Sequence, residues 1–239
     1  MLRKAIVLAA GRGTRMGELT EEKPKPMLPV GDAPMLEHIV RRLQSVGIEE
    51  ILLVVGYRRD LIEAHFRDFP GISFVVQDVV DGTASAAKMG RSFIGDSDFL
   101  LTFGDIITPA GNYAGIGADL KSTGAFAVAG VKWAEDPWQG AAVYADTTGR
   151  VSRIIEKPPV GTSTTHWNSA GLYAFRAEIF HEIDTIPRSI RGEFEIASAV
   201  EQLIAQDRLV RMFEMQGAWR DVGRPEDLKA APEDLLASE

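Results

Sequence analysis

The sequence predicts an α/β fold, a mixed and mainly parallel central sheet flanked by helices, with a more antiparallel half behind it. Three observations predict this. Apolar β-rich runs alternate with helix-spaced apolar positions through the first half of the 239 residues. Short β-rich runs then follow one another with few helices between them. A composition of 45% hydrophobic residues with no cysteine suits a core built without disulfides or thiolate metal sites.

The elements follow in order. "KAIVLAA" (residues 4–10) is a short β-rich run ending at glycine, as a buried parallel strand does. Met35, Leu36, Ile39, Val40, Leu43 and Val46 recur at helical spacing, with Gly47 as the C-cap. "EILLVVG" (50–56) is the second strand, and residues 60–66 form a short helix. "ISFVVQ" (72–77), a small-residue helix from Thr83 and "DFLLTFGD" (98–105) extend the alternation. That order implies a Rossmann-like parallel sheet with right-handed crossovers. Residues 124–131, 140–144, 151–155 and 171–175 read as strands of the second half. An amphipathic helix carrying Phe194, Ala197, Val200, Leu203 and Ile204, a strand at 209–213 and a helix after Pro225 complete the chain. No repeat or linker interrupts it. Residues 1–239 are expected to form a single domain, with a nucleotide-binding half at about 1–110 and a substrate half at about 111–239.

Charge narrows the function. A net charge of -8 argues against a general nucleic-acid surface. The apolar run near the N-terminus is too short to span a bilayer and leads straight into folded-looking sequence, so a soluble cytoplasmic protein is expected. Against this acidic background "LAAGRGTRMGELTEEKPKPMLPVG" (8–31) stands out as local chemistry. Gly11 and Gly13 follow the first strand, where the backbone can approach a ligand and aim N–H groups at an anion. Arg12, Arg15, Lys23 and Lys25 add positive charge. A solvated turn explains the charges but not the glycine-proline framework. Gly11, Gly13 and Gly17 form a G-x-G-x-x-x-G variant. A dinucleotide site, though, needs a helix where Pro24, Pro26 and Pro29 stand, and an acid after the second strand, where Tyr57 stands. Phosphate binding is the better reading of this loop.

"LAAGRGTRM" followed by "KPKPMLPV" resembles the signature of the sugar-1-phosphate nucleotidylyltransferases. Further matches run in family order: "DGTASA" (81–86), "FGD" (103–105), "IEKP" (155–158), "NSAGLYAF" (168–175), "RGEFEI" (191–196) and "WRDVGRPEDL" (219–228). The resemblance implies that a sugar-1-phosphate oxygen attacks the α-phosphorus of an NTP and pyrophosphate leaves. It implies a triphosphate cradle from Gly11, Gly13 and Thr14, with Leu8, Ala10 and Thr83 also in the nucleotide site and Arg15 on the departing pyrophosphate. Lys25 would hold the α-phosphate or the attacking phosphate, Lys157 the sugar phosphate, and Glu156 the sugar hydroxyls. Gly140, Asn168, Arg191 and Glu193 match sugar-contacting positions. Asp105 and Asp221 match a pair of Mg²⁺ carboxylates, a sufficient protein contribution for a hard ion that keeps waters and takes phosphate oxygens.

Gln77 and Gly82 resemble the base-reading position of the uridine- and thymidine-specific branches, where a planar amide matches an imide edge. A strand-capping glutamine is the competing reading. The histidines (His38, His65, His166, His181) show no metal-ligand spacing. "FGD" departs from the family's commoner Leu-Gly-Asp, and the segment from Val131 to Tyr144 is atypical, leaving the sugar undetermined. The Trp133–Trp138 region reads as packing or a lid. The chain stops soon after the second metal motif, so a β-helix acyltransferase domain and a long regulatory extension are not expected. The implied partners are an NTP and a sugar-1-phosphate, with neither nucleic acid nor membrane; a homo-oligomer is left open. Two other classes compete: a non-catalytic nucleotide-sugar sensor on the same fold, and an NAD-dependent dehydrogenase.

Overall fold

Along the first strand, side chains alternate between two buried faces. Ala5, Val7 and Ala9 enter one apolar cluster and Ile6 the other. A strand buried on both sides has no polar face to show, which is why the run reads as uninterrupted apolar sequence. In the computed structural model, which describes residues 1–236 with side chains to residue 231, this strand is β1 (Lys4–Ala9). Two 3₁₀ segments (Thr14–Thr20 and Lys25–Met27) and the small ladder of β2 (Pro29–Val30) and β3 (Ala33–Pro34) follow. Then come α1 (Met35–Ser45), β4 (Glu50–Val55), α2 (Arg59–Phe66) and β5 (Ile72–Val76). The first half closes with α3 (Thr83–Lys88), α4 (Arg91–Ile94), β6 (Phe99–Phe103) and β7 (Ile106–Ile107).

The second half opens with α5 (Ala110–Thr123), and this corrects the expectation of strands with few helices. Gly124, expected to begin a strand, is instead the left-handed cap of α5, and β8 begins at Ala127 (Ala127–Trp133). Next are β9 (Ala141–Ala145), β10 (Val151–Glu156), β11 (Trp167–Phe175) and α6 (Ile179–Ile183). The chain continues through α7 (Ile196–Ala205), β12 (Val210–Glu214), β13 (Arg220–Asp221) and α8 (Pro225–Leu236). Strand β11 extends four residues before the expected start, past a register shift between Ser169 and Tyr173. Phe194 precedes the amphipathic helix rather than lying in it.

The main sheet runs β10-β9-β11-β6-β1-β4-β5, with β8 paired to β11 and β12 to β8. Neighbours β6, β1, β4 and β5 are parallel, while β11 is antiparallel to β6 and β8. Helices cover both faces. Leu36, Ile39 and Leu43 of α1, Phe66 of α2 and Ile116 of α5 pack in one cluster; Ala84 of α3, Phe180 of α6 and Leu203 of α7 pack in the other. No helix among the described residues is long and apolar enough to cross a membrane.

This topology positions the site. Parallel strands bring their carboxyl ends to one edge, so Gly11 after β1, Gln77 after β5 and Asp105 after β6 converge. Because β11 runs the other way, its first residues, including Asn168, reach the same edge. A short antiparallel ladder does the rest: β13 pairs with β7, setting Asp221 against Ile106, and Val222 N donates to Asp105 O at 3.0 Å. Two aspartates remote in sequence thereby become neighbours.

Candidate active site

Two cavities share a wall at the carboxyl edge. One, of about 430 Å³, is lined by Leu8, Ala10, Gly11, Gly13, Thr14, Lys25, Gln77 and Gly82. The other, of about 580 Å³, is lined by Gly140, Glu156, Lys157, Asn168, Arg191 and Asp221. Arg15, Thr83, Asp105 and Glu193 line both. Every residue given a role by the family resemblance thus lines one lobe or the other. Arg12 instead lies over the Tyr57 ring in an adjoining groove, 5.2 Å from its centroid.

Charge concentrates where the lobes meet. Lys25 Nζ donates to Asp105 Oδ2 at 2.7 Å and lies 3.9 Å from Asp221 Oδ1. Its stem is held against Gly13. A Cβ on that glycine would sit 2.6 Å from the Lys25 Cβ, and Gly13 also has φ +73°, so glycine is required on both counts. Asp105 Oδ1 is buried without a hydrogen-bond partner, which leaves one carboxylate oxygen available to a ligand. The cleft walls push the Asp221 carboxyl up to about 6, chiefly by desolvation and then by the charge of Asp105; Lys25 and Arg15 oppose this. Its side chain is still half exposed, so it remains accessible from the open side. No cluster of three or more ligating side chains occurs among the described residues. Two carboxylates, one with a free buried oxygen, nevertheless suit an ion that completes its shell with phosphates and water.

Gln77 is 5% exposed, and its Nε2 is buried without a partner while its backbone N donates to Val55 O at 2.8 Å. The side chain therefore caps nothing. It stands as an unsatisfied amide on the wall of the smaller lobe. Thr83 has a structural duty as well, since its Oγ1 accepts from Ile196 N at 2.9 Å.

In the larger lobe, Lys157 adopts φ +42°, a conformation that side-chain-bearing residues rarely take. It is held there by its own N–H, which donates to Gly140 O at 2.8 Å. Arg191 faces three carboxylates, at 3.5 Å from Glu156, 3.1 Å from Glu193 and 3.1 Å from Glu195. Burial first, then the charge of Glu195, pushes the Glu156 carboxyl up to about 7, against the pull of Lys157 and Arg191. Burial likewise raises Glu195. Sequence reasoning passed over Glu195 and Asp136, which also line this lobe. The alternation of Glu193, Phe194 and Glu195 was the available signal for Glu195; Asp136 had none. Trp133 is not core packing: it is 59% exposed and stacks on His166 at 5.4 Å, while Ala134, Asp136 and Pro137 of the same segment line the larger lobe.

The Glu156 shift has a testable sign. Between pH 4.5 and about 7 the folded protein retains a proton that the unfolded chain has released, so stability falls as pH rises through that window. Glu156→Gln removes the effect. Urea unfolding should show the variant gaining about 1–3 kcal/mol on the parent between pH 5 and pH 8. Parallel pH profiles for the two proteins would contradict the assignment.

A doubly covered α/β sheet with a phosphate-suited loop, clustered cations and paired carboxylates at its carboxyl edge defines a class: nucleotide-binding proteins equipped for phosphoryl chemistry. Residues 4–238 match the nucleotidyl transferase family, and the chain belongs to it. UTP–glucose-1-phosphate uridylyltransferase AglF of Haloferax volcanii is 37% identical, over 97% of this chain and 96% of its own length. Bifunctional protein GlmU of Methanococcus aeolicus is 34% identical over 97% of this chain and 54% of its own, so the chain spans about half the length of that curated relative. A crystal structure of UDP-glucose pyrophosphorylase complexed with UDP-glucose superposes with a TM-score of 0.89 over the whole of both chains at 20% identity, a likeness of fold.

Proposed function

We propose that this chain transfers a nucleotidyl group from an NTP, a pyrimidine nucleotide by preference, to a sugar-1-phosphate. Pyrophosphate is released and an NDP-sugar forms. The observation that carries the reading is the Lys25 ammonium lying between Asp105 and Asp221 where the two lobes meet. A site for two polyanions needs its charge at the junction where one attacks the other. A binder of finished nucleotide sugar needs no such concentration around a leaving group.

Residues from about 1 to 110 supply most of the nucleotide lobe and the later half most of the sugar lobe, with Glu193 and Gly223 reaching into the first and Arg15, Thr83 and Asp105 into the second. In the reaction, an oxygen of the sugar phosphate forms a bond to the α-phosphorus while the bond between α-phosphorus and bridging oxygen breaks. Nucleophile and leaving group are both phosphates, so no covalent protein nucleophile is needed and catalysis is positioning and electrostatics. Gly11, Gly13 and Thr14 cradle the triphosphate, and Arg15 takes up charge on the departing pyrophosphate. Lys25 bears on the α-phosphate, Lys157 grips the sugar phosphate from the other side, and Glu156 accepts from sugar hydroxyls. Asp105 and Asp221 would hold Mg²⁺, which when bound neutralises phosphate charge and orients the oxygens. A chain that consumes a nucleoside triphosphate works where the triphosphate is made, in the cytoplasm.

Pyrophosphate release across UTP, dTTP, CTP, GTP and ATP, crossed with glucose 1-phosphate and other sugar phosphates, tests this reading. UTP and glucose 1-phosphate lead the panel because the Haloferax relative carries both in its name. A purine preference would remove the base-reading role from Gln77. If the preference is for a pyrimidine, Gln77→Leu should lower the ratio of pyrimidine to purine kcat/KM about tenfold or more, because the base edge loses its hydrogen-bonding amide.

A further inference from the structure

The turn joining α6 to α7 carries sugar-lobe side chains but is fastened to the nucleotide side of the cleft. It closes on itself through Ser189 N donating to Glu193 O and Gly192 N donating to Ser189 O, each at 2.8 Å. The turn presents Arg191 and Glu193 to the larger lobe. Its attachments lie on the segment that opens α3. Phe194 N donates to Asp81 O at 2.8 Å, and Ala84 N donates to Phe194 O at 2.9 Å. The two backbones are so close that a Cβ on Gly82 would lie 2.2 Å from Phe194 O. Gly82 and Thr83 in turn line the smaller lobe.

One side chain ties these pieces together from outside both lobes. Arg188 Nη2 donates to Asp81 Oδ2 at 3.0 Å, and Nη1 donates to Gly192 O at 2.5 Å. Its guanidinium lies over the Phe194 ring, 4.4 Å from the centroid. An exposed ion pair alone contributes little. Here one planar group engages a carboxylate, a carbonyl and an aromatic face at once, a combination that lysine cannot reproduce.

We propose that Arg188 is a positioning residue that couples the two lobes: through Asp81 it sets the turn bearing Arg191 and Glu193 to the state of the nucleotide lobe. The inference rests on the two-substrate reading above. An order imposed on the turn by nucleotide favours sugar phosphate, and the linkage runs equally in reverse.

Equilibrium binding separates this from a merely structural role. Calorimetry measures glucose 1-phosphate affinity with and without α,β-methylene UTP, in the presence of Mg²⁺, so that no turnover intervenes. In the parent protein the analogue should tighten glucose 1-phosphate about tenfold. In Arg188→Lys and Arg188→Gln that gain should shrink to within about twofold, while affinity for the analogue alone changes less than about threefold. Asp81→Asn should behave alike, and the double variant should be no worse than the worse single, because one link is being cut. A gain retained in folded Arg188→Lys overturns the proposal. So does an equal loss of affinity for the analogue itself, which marks general damage. A parent that turns over UTP and sugar phosphate but shows no coupling refutes Arg188's role alone; a parent that neither binds nor turns over these ligands refutes the functional reading beneath it.

Discussion

Asp105→Asn and Asp221→Asn will each lower kcat by about 10²–10³ at ordinary Mg²⁺ while the protein stays folded, since loss of preorganised charge at a developing transition state has that scale. The substitution keeps shape and removes one negative charge. Asp105 has one oxygen on Lys25 and one buried oxygen without a partner, so asparagine there loses both a charge partner and a ligand. Asp221 reaches the same point through the β13–β7 ladder. If both serve one ion, the double variant will be little worse than the worse single, because residues acting as a unit are not additive. Raising Mg²⁺ should recover part of the single-variant loss. Steady-state kinetics over a Mg²⁺ series, with circular dichroism to confirm folding, checks this. Full activity in folded Asp221→Asn would leave Asp105 as the sole carboxylate.

Lys25→Met will lower kcat/KM by about 10³, the order expected when a fixed cation on a transferring phosphoryl group is removed. It will also leave Asp105 and Asp221 facing each other without the ammonium that now lies 2.7 and 3.9 Å from them. Two like charges in a cleft resist joint ionisation. Lys25→Arg should recover little. The lysine stem runs against Gly13 and sets the ammonium 2.7 Å from Asp105, and a planar fork on a longer stem does not place its donors where that point charge stands. Single-turnover measurement separates the chemical step from binding. A variant that loses KM alone, with kcat intact, would move Lys25 from the reacting phosphate to a general role in affinity.

Several elements were legible because local patterning and tertiary role agree. The run from Lys4 to Ala9 is apolar on both faces because both faces are covered. The loop after it needs glycine where Lys25 packs against Gly13, and this shows in the sequence as glycine. Helix α5 was not legible. "AGNYAGIGADLKST" contains three glycines, which weaken any helical signal. Two of them answer to packing: a Cβ would meet the Phe213 ring at 2.6 Å from Gly115 and the Leu2 side chain at 3.2 Å from Gly117. Strand β11 was read short because it shifts register before Tyr173, so neither stretch alone shows a long alternation.

The site shows the same division. Gly11, Gly13, Lys25 and Asp105 stand at strand ends or in a loop whose composition has a physical reason. Asp221 came only from resemblance, since a two-residue strand has no periodicity and its partner lies far back in the chain. Arg188 carries no local signature, and the "DGTASA" motif that Asp81 opens does not show its partner. Their meeting exists only once the turn after α6 has folded across the start of α3.

The central claim is that one cleft joins a nucleotide to a sugar phosphate at the Lys25–Asp105–Asp221 junction. ³¹P NMR of the purified protein with Mg²⁺, UTP and glucose 1-phosphate tests it most directly, because every phosphorus in the reaction is seen at once. The prediction is equal growth of a diphosphate ester doublet pair and of pyrophosphate, with UTP and sugar phosphate falling in step, and no growth of either in Asp105→Asn on the same timescale. Orthophosphate in place of pyrophosphate, or nucleotide bound with both substrate spectra unchanged across the whole substrate panel, would contradict it.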